Sequence, residues 1–298
     1  MDQKNLKGLT SLKLRDCKDL ECLVDATEEH VPTSEMFTKL VELVMKNVIN
    51  LKMLCNVQPP KGFLQNLETL TVEGCKDIVS LSFVAQNLKK LTVNDCEKLQ
   101  EVFRIDELLY NREEYQELLL SNLDSTQYVN LGCLKVVLIQ GCNKLESLFS
   151  TSLIRSLRLL EELDINSCDK LETVFAELES DDETESNTLR LPNLKTLKIS
   201  ECPRLKYVWP LASTLGLPRL QELRLGDLSN FDPGRYFIKA PALEYLDVFN
   251  CPGLSNFTIQ QDKPFQSKVV LFFLFFFNFF YFKYLMVNFD NSGKITVL

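Results

Sequence analysis

Cysteine is the residue type whose spacing here most invites a chemical reading. Seven of the ten cysteines, Cys17, Cys75, Cys96, Cys142, Cys168, Cys202 and Cys251, follow the same local pattern of leucines. A metal centre needs paired thiolates or imidazoles at short spacing, but there is no CxxC pair and His30 is the single histidine. Val48, Leu123 and Leu228 stand at the equivalent position elsewhere, and an aliphatic side chain cannot replace a ligand. A small, weakly donating thiol suits a buried turn, so the cysteines read as core. Neighbours such as Cys75 and Cys96 could come within disulfide reach, but ten cysteines without a signal peptide point to reduced thiols in a cytosolic setting.

Catalytic arrangements are equally hard to assemble. One histidine in a polar stretch gives no Ser-His-Asp or Cys-His constellation. Gly293-Lys294-Ile295-Thr296 lacks the leading glycine and the correct successor of a phosphate loop. Carboxylates such as Glu161, Glu162 and Asp164 read as the solvated rim of a strand. The expectation is therefore no enzyme, no cofactor and no metal. The formal net charge of −8 argues against a general nucleic-acid binder, which shows a clustered basic face.

The elements that carry these residues recur along the chain. In Leu157–Val174, apolar residues fall at Leu157, Leu160, Leu163, Ile165, Cys168, Leu171 and Val174. The single step of two marks a strand turning alternate side chains inward, and the steps of three keep returning one side chain to the same interior. Copies begin at Leu9, Leu40, Leu67, Leu88, Tyr115, Leu134, Leu194, Leu220 and Leu243, about ten in all, at spacings of roughly 19 to 34 residues against about 20–29 for leucine-rich repeats. One such unit buries too little to stand alone and must stack on its neighbours. The spacing predicts an α/β solenoid, a shallow leucine-rich-repeat horseshoe over residues 6–257. Its parallel sheet lines the concave side, and its convex side is loop-rich with short helices such as Ser152–Leu160 and Val102–Leu109. The polar stretches 24–36 and 177–188 read as inserted loops, the second acidic, and the single sequon at Asn256 as chance.

Side chains between the two inward residues of each strand form the concave row: Lys13, Val44, Thr71, Thr92, Leu119, Leu138, Asp164, Lys198, Arg224 and Asp247. Arg15, Glu73, Asn94, Gln140, Asn166 and Glu201 flank it. Leu119 and Leu138, with Val136 alongside, break the polar rule, which leaves three readings open: a partner-binding patch, a surface covered by a loop, or a degenerate fifth repeat out of register. Tyr245 and Phe249 are aromatic anchors for a second patch. Candidate contact residues are thus Leu119, Val136, Leu138, Asp164, Lys198, Arg224, Tyr245, Asp247 and Phe249.

Both ends depart from this pattern. No polar capping unit precedes Leu6, so the chain reads as a fragment. Residues 258–298 form a non-repeat tail whose stretch 269–287, VVLFFLFFFNFFYFKYLMV, has the length of a bilayer span. Its Phe-rich composition leaves three readings open: translated non-coding sequence, a membrane segment, or an apolar cap on the last repeat.

Phrases such as LEELDINSCDKLETV, LKTLKISECPRLKYVWP and ALEYLDVFNCPGL resemble the C-terminal repeats of plant nucleotide-binding leucine-rich-repeat disease-resistance proteins, the coiled-coil class most of all. The resemblance implies a cytoplasmic immune-receptor sensor whose protein partner is a pathogen effector, a guarded host protein or the missing nucleotide-binding domain. The phosphate-binding motifs of that family are absent, so ATP binding does not carry over. Alternatives are a membrane-tethered interaction protein anchored through 269–287, or a ubiquitin-ligase substrate-recognition repeat.

Overall fold

A computed structural model describes residues 8–24, 37–55, 62–81, 86–103, 131–154, 156–176, 188–208, 214–231, 237–253, 257–260, 287–289 and 294–297. Nine strands form one parallel sheet: Ser11–Arg15, Glu42–Lys46, Thr69–Glu73, Lys90–Asn94, Val136–Gln140, Glu162–Asn166, Thr196–Ser200, Glu222–Gly226 and Tyr245–Phe249, neighbours in that order. Every strand carries two inward aliphatic residues two apart, as alternation in a half-buried strand requires. From Leu43 and Met45 through Leu246 and Val248 these residues are 5% exposed or less, whereas Leu12 and Leu14 on the first strand stay half-buried. At about 2 kcal/mol per buried aliphatic side chain, this spine is the main source of cohesion.

Each of the nine strands ends the same way. The next residue, Asp16, Asn47, Gly74, Asp95, Gly141, Ser167, Glu201, Asp227 or Asn250, takes a left-handed φ between 47° and 64°. In the first eight, the residue's N–H donates to the last carbonyl of the following strand at 2.8–3.1 Å. The reversal drops the next side chain, cysteine in seven cases, into the interior. A β-turn follows: the N–H groups of Leu51, Ile78, Leu99, Leu145, Leu171, Leu205 and Phe231 donate to the carbonyl three residues back at 3.1–3.4 Å. Matching turns precede the strands, as from Leu67 to Leu64 and from Leu194 to Leu191.

Away from the large sheet, Cys22–Val24 pairs with Met53–Cys55 and Ser147–Ser150 with Thr173–Ala176, both parallel. Thr188–Arg190, Thr214–Gly216, Phe237–Lys239 and Phe257–Gln260 make a second parallel run. Lys294–Val297 closes that run antiparallel and pairs in turn with Val287–Phe289. Phe149 lies between Phe103 and Phe175 in an interior stack, with centroids 6.2 and 5.5 Å apart.

These observations correct the expected architecture. The α/β leucine-rich-repeat solenoid, a horseshoe with short helices on a loop-rich convex side, is overturned: among the described residues helix is confined to Thr151–Ile154, and the fold is parallel β. The physical reason is that steps of three such as Leu157 to Leu160 and Cys168 to Leu171 each close a single β-turn hydrogen bond, where a helix would repeat the bond residue after residue. Among the described residues of the segments expected to be helical, 152–154 are helix, 156–160 are not, and Val102–Phe103 is a bend. The count of about ten units becomes nine strands, because Lys90–Asn94 pairs directly with Val136–Gln140. Leu119, Leu123, His30, the loops 25–36 and 177–187, and the apolar run before Val287 lie outside the described residues. Among the described residues, no helix is long and apolar enough to cross a membrane.

Candidate functional site

Strict register across the sheet builds an open face from the outward residues. The central row reads Lys13, Val44, Thr71, Thr92, Leu138, Asp164, Lys198, Arg224, Asp247, each paired with the next. Leu119 lies outside the described residues, and the direct partner of Leu138 is Thr92. The expected apolar patch therefore shrinks to Val136 and Leu138, both half-buried and bounded by Lys90, Thr92, Glu162 and Asp164. Glu201 also moves: Ser200 occupies the last strand position, and Glu201 takes the left-handed turn.

Along this central row, charge concentrates on the last four strands, at Asp164, Lys198, Arg224 and Asp247. Glu222 binds both cations of this region, accepting from Arg224 Nε at 2.6 Å and from Lys198 Nζ at 3.1 Å. The Arg224 guanidinium also sits 4.8 Å from the centre of the Tyr245 ring. Partial burial raises the carboxyl pKa of Asp164; Lys198 opposes that shift, while Glu162 and Glu222 add to it. Phe249 lays its ring across Gly226 on the neighbouring strand, where any Cβ would overlap it. Asp247, in the centre of the last strand, is 7% exposed. Its Oδ2 lies 3.5 Å from the Tyr245 hydroxyl.

The sequence placed Asp164, Lys198, Arg224, Tyr245, Asp247 and Phe249 on this surface, and the register brings them together. It did not single out Glu222, which organises both cations. The available signal was its position two residues before Arg224 on the same strand, which puts the two side chains on one face.

Seven cysteines form a row along the interior, half-buried at Cys17 and buried at the other six. All ten are free thiols, and the seven in the row donate to the carbonyl two residues back at 3.2–3.7 Å. Burial pushes Cys96 up to about 12 and Cys251 up to about 11. Hydrogen bonding to the Cys168 sulfur, with burial behind it, raises Cys142 and Cys202 as well. Among the described residues no group of three His, Cys, Asp or Glu side chains is arranged to hold a metal ion.

Comparison with known proteins adds a partial likeness. A family model described as plant disease resistance protein RPS2-like, leucine-rich repeats, matches residues 58–169. Disease resistance protein RPS4B of Arabidopsis thaliana is 29% identical over 206 residues, which is 64% of this chain and 16% of that protein. The chain thus spans about a sixth of the length of this relative. The homology is weak, and a nearly all-β fold does not fit the leucine-rich-repeat recognition module of an immune receptor that the resemblance implied. That assignment, with its helix-bearing horseshoe, is set aside: the chain is similar in sequence to disease-resistance proteins and is built as a parallel-β domain.

Proposed function

We propose that this chain is a non-enzymatic, cytoplasmic domain that binds a protein partner on the open face of its nine-stranded sheet. The observation that carries this reading is the row Asp164, Lys198, Arg224, Asp247, held side by side by register, with Arg224 stacked on Tyr245. Charged and aromatic side chains fixed on a rigid sheet lose little freedom on binding, which favours affinity. Two bases flanked by an acid on either side give orientation through charge matching. Ten free thiols support a reducing compartment.

Photo-crosslinking tests this reading. A photoreactive residue at Tyr245 or Thr196 is expected to capture one protein from cells, and one at the exposed Lys170, next to the Asp169 turn, is not. The double variant K198E/R224E should lose that product by at least about tenfold, as expected when the charges that match a partner are inverted. Equal capture from Lys170, or capture indifferent to charge reversal, would remove the face from the function.

A further inference from the structure

Asp247 is the one buried charged residue among those described, and its environment is incomplete. Its Oδ1 is buried and has no hydrogen-bond partner. Oδ2 has only the long 3.5 Å contact with the Tyr245 hydroxyl. The nearest cation in register is Arg224, but its Nε is taken by Glu222 at 2.6 Å and its guanidinium is stacked on Tyr245. Lys198 is likewise held by Glu222. Glu222 thus holds both cations at this end of the face, and neither donates a hydrogen bond to the Asp247 carboxylate.

A buried carboxylate without a donor is costly and is normally paired, bound to a cation or replaced. Four acids, Glu162, Asp164, Glu222 and Asp247, share this end of the sheet with two bases. The whole chain carries a formal charge of −8, so approach of a cation is favoured from a distance. Tyr245 and Phe249 flank Asp247 at positions two residues to either side on the same face of the strand. A planar guanidinium can donate to Oδ1 while stacking on an aromatic ring, which an ammonium does less well.

From this arrangement we propose that Asp247 is the anchor for an arginine side chain of the protein partner, seated between Tyr245 and Phe249. The proposal rests on the reading of the open face as a protein-binding surface and names the chemistry of its partner. The carboxylate stays unpaired in the free protein and gains its donor on binding, so it weakens the fold and serves recognition.

Two measurements on the full chain test this together. Acetylated heptapeptides with a central Arg, Lys, citrulline or Gln between Gly and Ser residues serve as probes, with binding followed by NMR shifts. The Arg peptide is expected to bind wild type at least about tenfold more tightly than the citrulline peptide, a preference that D247N abolishes. The same D247N variant should raise Tm by about 2 °C or more, because it removes an unpaired buried charge. D247A, which deletes the carboxyl group altogether, should also lose the Arg preference. A lower Tm for D247N, an Arg preference that survives it, no Arg preference in wild type, or Ca²⁺ or Mg²⁺ displacing the Arg peptide would overturn the anchor. Loss of the anchor with crosslinking from Tyr245 intact would leave the face in place as a binding surface; loss of both would remove the face as well.

Discussion

The ring of Phe249 occupies the space where Gly226, its register partner on the adjacent strand, would carry a side chain. In an open strand, glycine to alanine stabilises by about 0.4–1 kcal/mol through the unfolded chain. Here G226A is expected to cost about 1–3 kcal/mol, because the new methyl group must displace the ring. In the F249A background the same substitution should become neutral or stabilising. Urea denaturation of the four proteins in this cycle measures the coupling.

The left-handed row makes a second, residue-specific prediction. Gly141 has φ 64°, and a Cβ there would meet Asp95 Oδ1 at 2.5 Å. G141A should therefore cost about 1–3 kcal/mol. Glu201 occupies the same turn position at φ 53° with a side chain that disfavours it. E201G should fall within about 1 kcal/mol of wild type, on the stabilising side, even though it loses the exposed 2.6 Å bond from Ser167. Equal losses for both variants would mean that backbone conformation does not govern this row.

How much of this could be read beforehand depends on the kind of regularity. The inward pairs, such as Leu163 with Ile165 and Leu197 with Ile199, were legible because a period of two fixes which side chains turn inward. The steps of three were not decisive, since Cys168 and Leu171 are spaced alike on a helix and across a turn. The left-handed row was hidden because Asp, Asn, Gly, Ser and Glu share only a backbone angle, not a side chain. The neighbour of Leu138 is not legible in the sequence, because leucine spacing marks strands without saying which of them pair, and Thr92 is its direct partner. Asp164 and Asp247 look equivalent in sequence, and only their positions in the sheet separate them: the first lies between two strands, the second on the last one.

The aromatic stack concentrates stability away from the binding face. Phe149 is 1% exposed and touches rings on both sides. F149A is expected to cost about 3–5 kcal/mol, and F149L less, since it retains most of the volume. Thermal unfolding of both variants checks the order.

Thiol chemistry follows from burial. At pH 8, Ellman's reagent should modify the half-buried Cys17, Cys22, Cys55 and Cys133 before the buried Cys75, Cys96, Cys142, Cys168, Cys202 and Cys251. In denaturant all should react at one rate. The sign of the pH effect is fixed by the direction of the shifts. Cys96, raised from 9.0 to about 12, keeps its proton in the folded state when the unfolded state has lost it. Its contribution is complete below pH 9 and declines as pH rises toward 12, and Cys251, raised to about 11, adds to the same decline. C96V should flatten that part of the stability profile. An unchanged slope would count against a buried, protonated Cys96.

The whole account depends on outward residues from successive strands standing side by side. Isotope-edited NMR tests this most directly through contacts between Thr92 and Leu138 and between Asp164 and Lys198. Adjacent strands lie about 4.8 Å apart, close enough for strong cross-strand signals between these pairs. Observation of both contacts is the predicted result. Their absence, with Thr92 instead in contact with Leu119, would insert another strand into the sheet and contradict the assignment of the face.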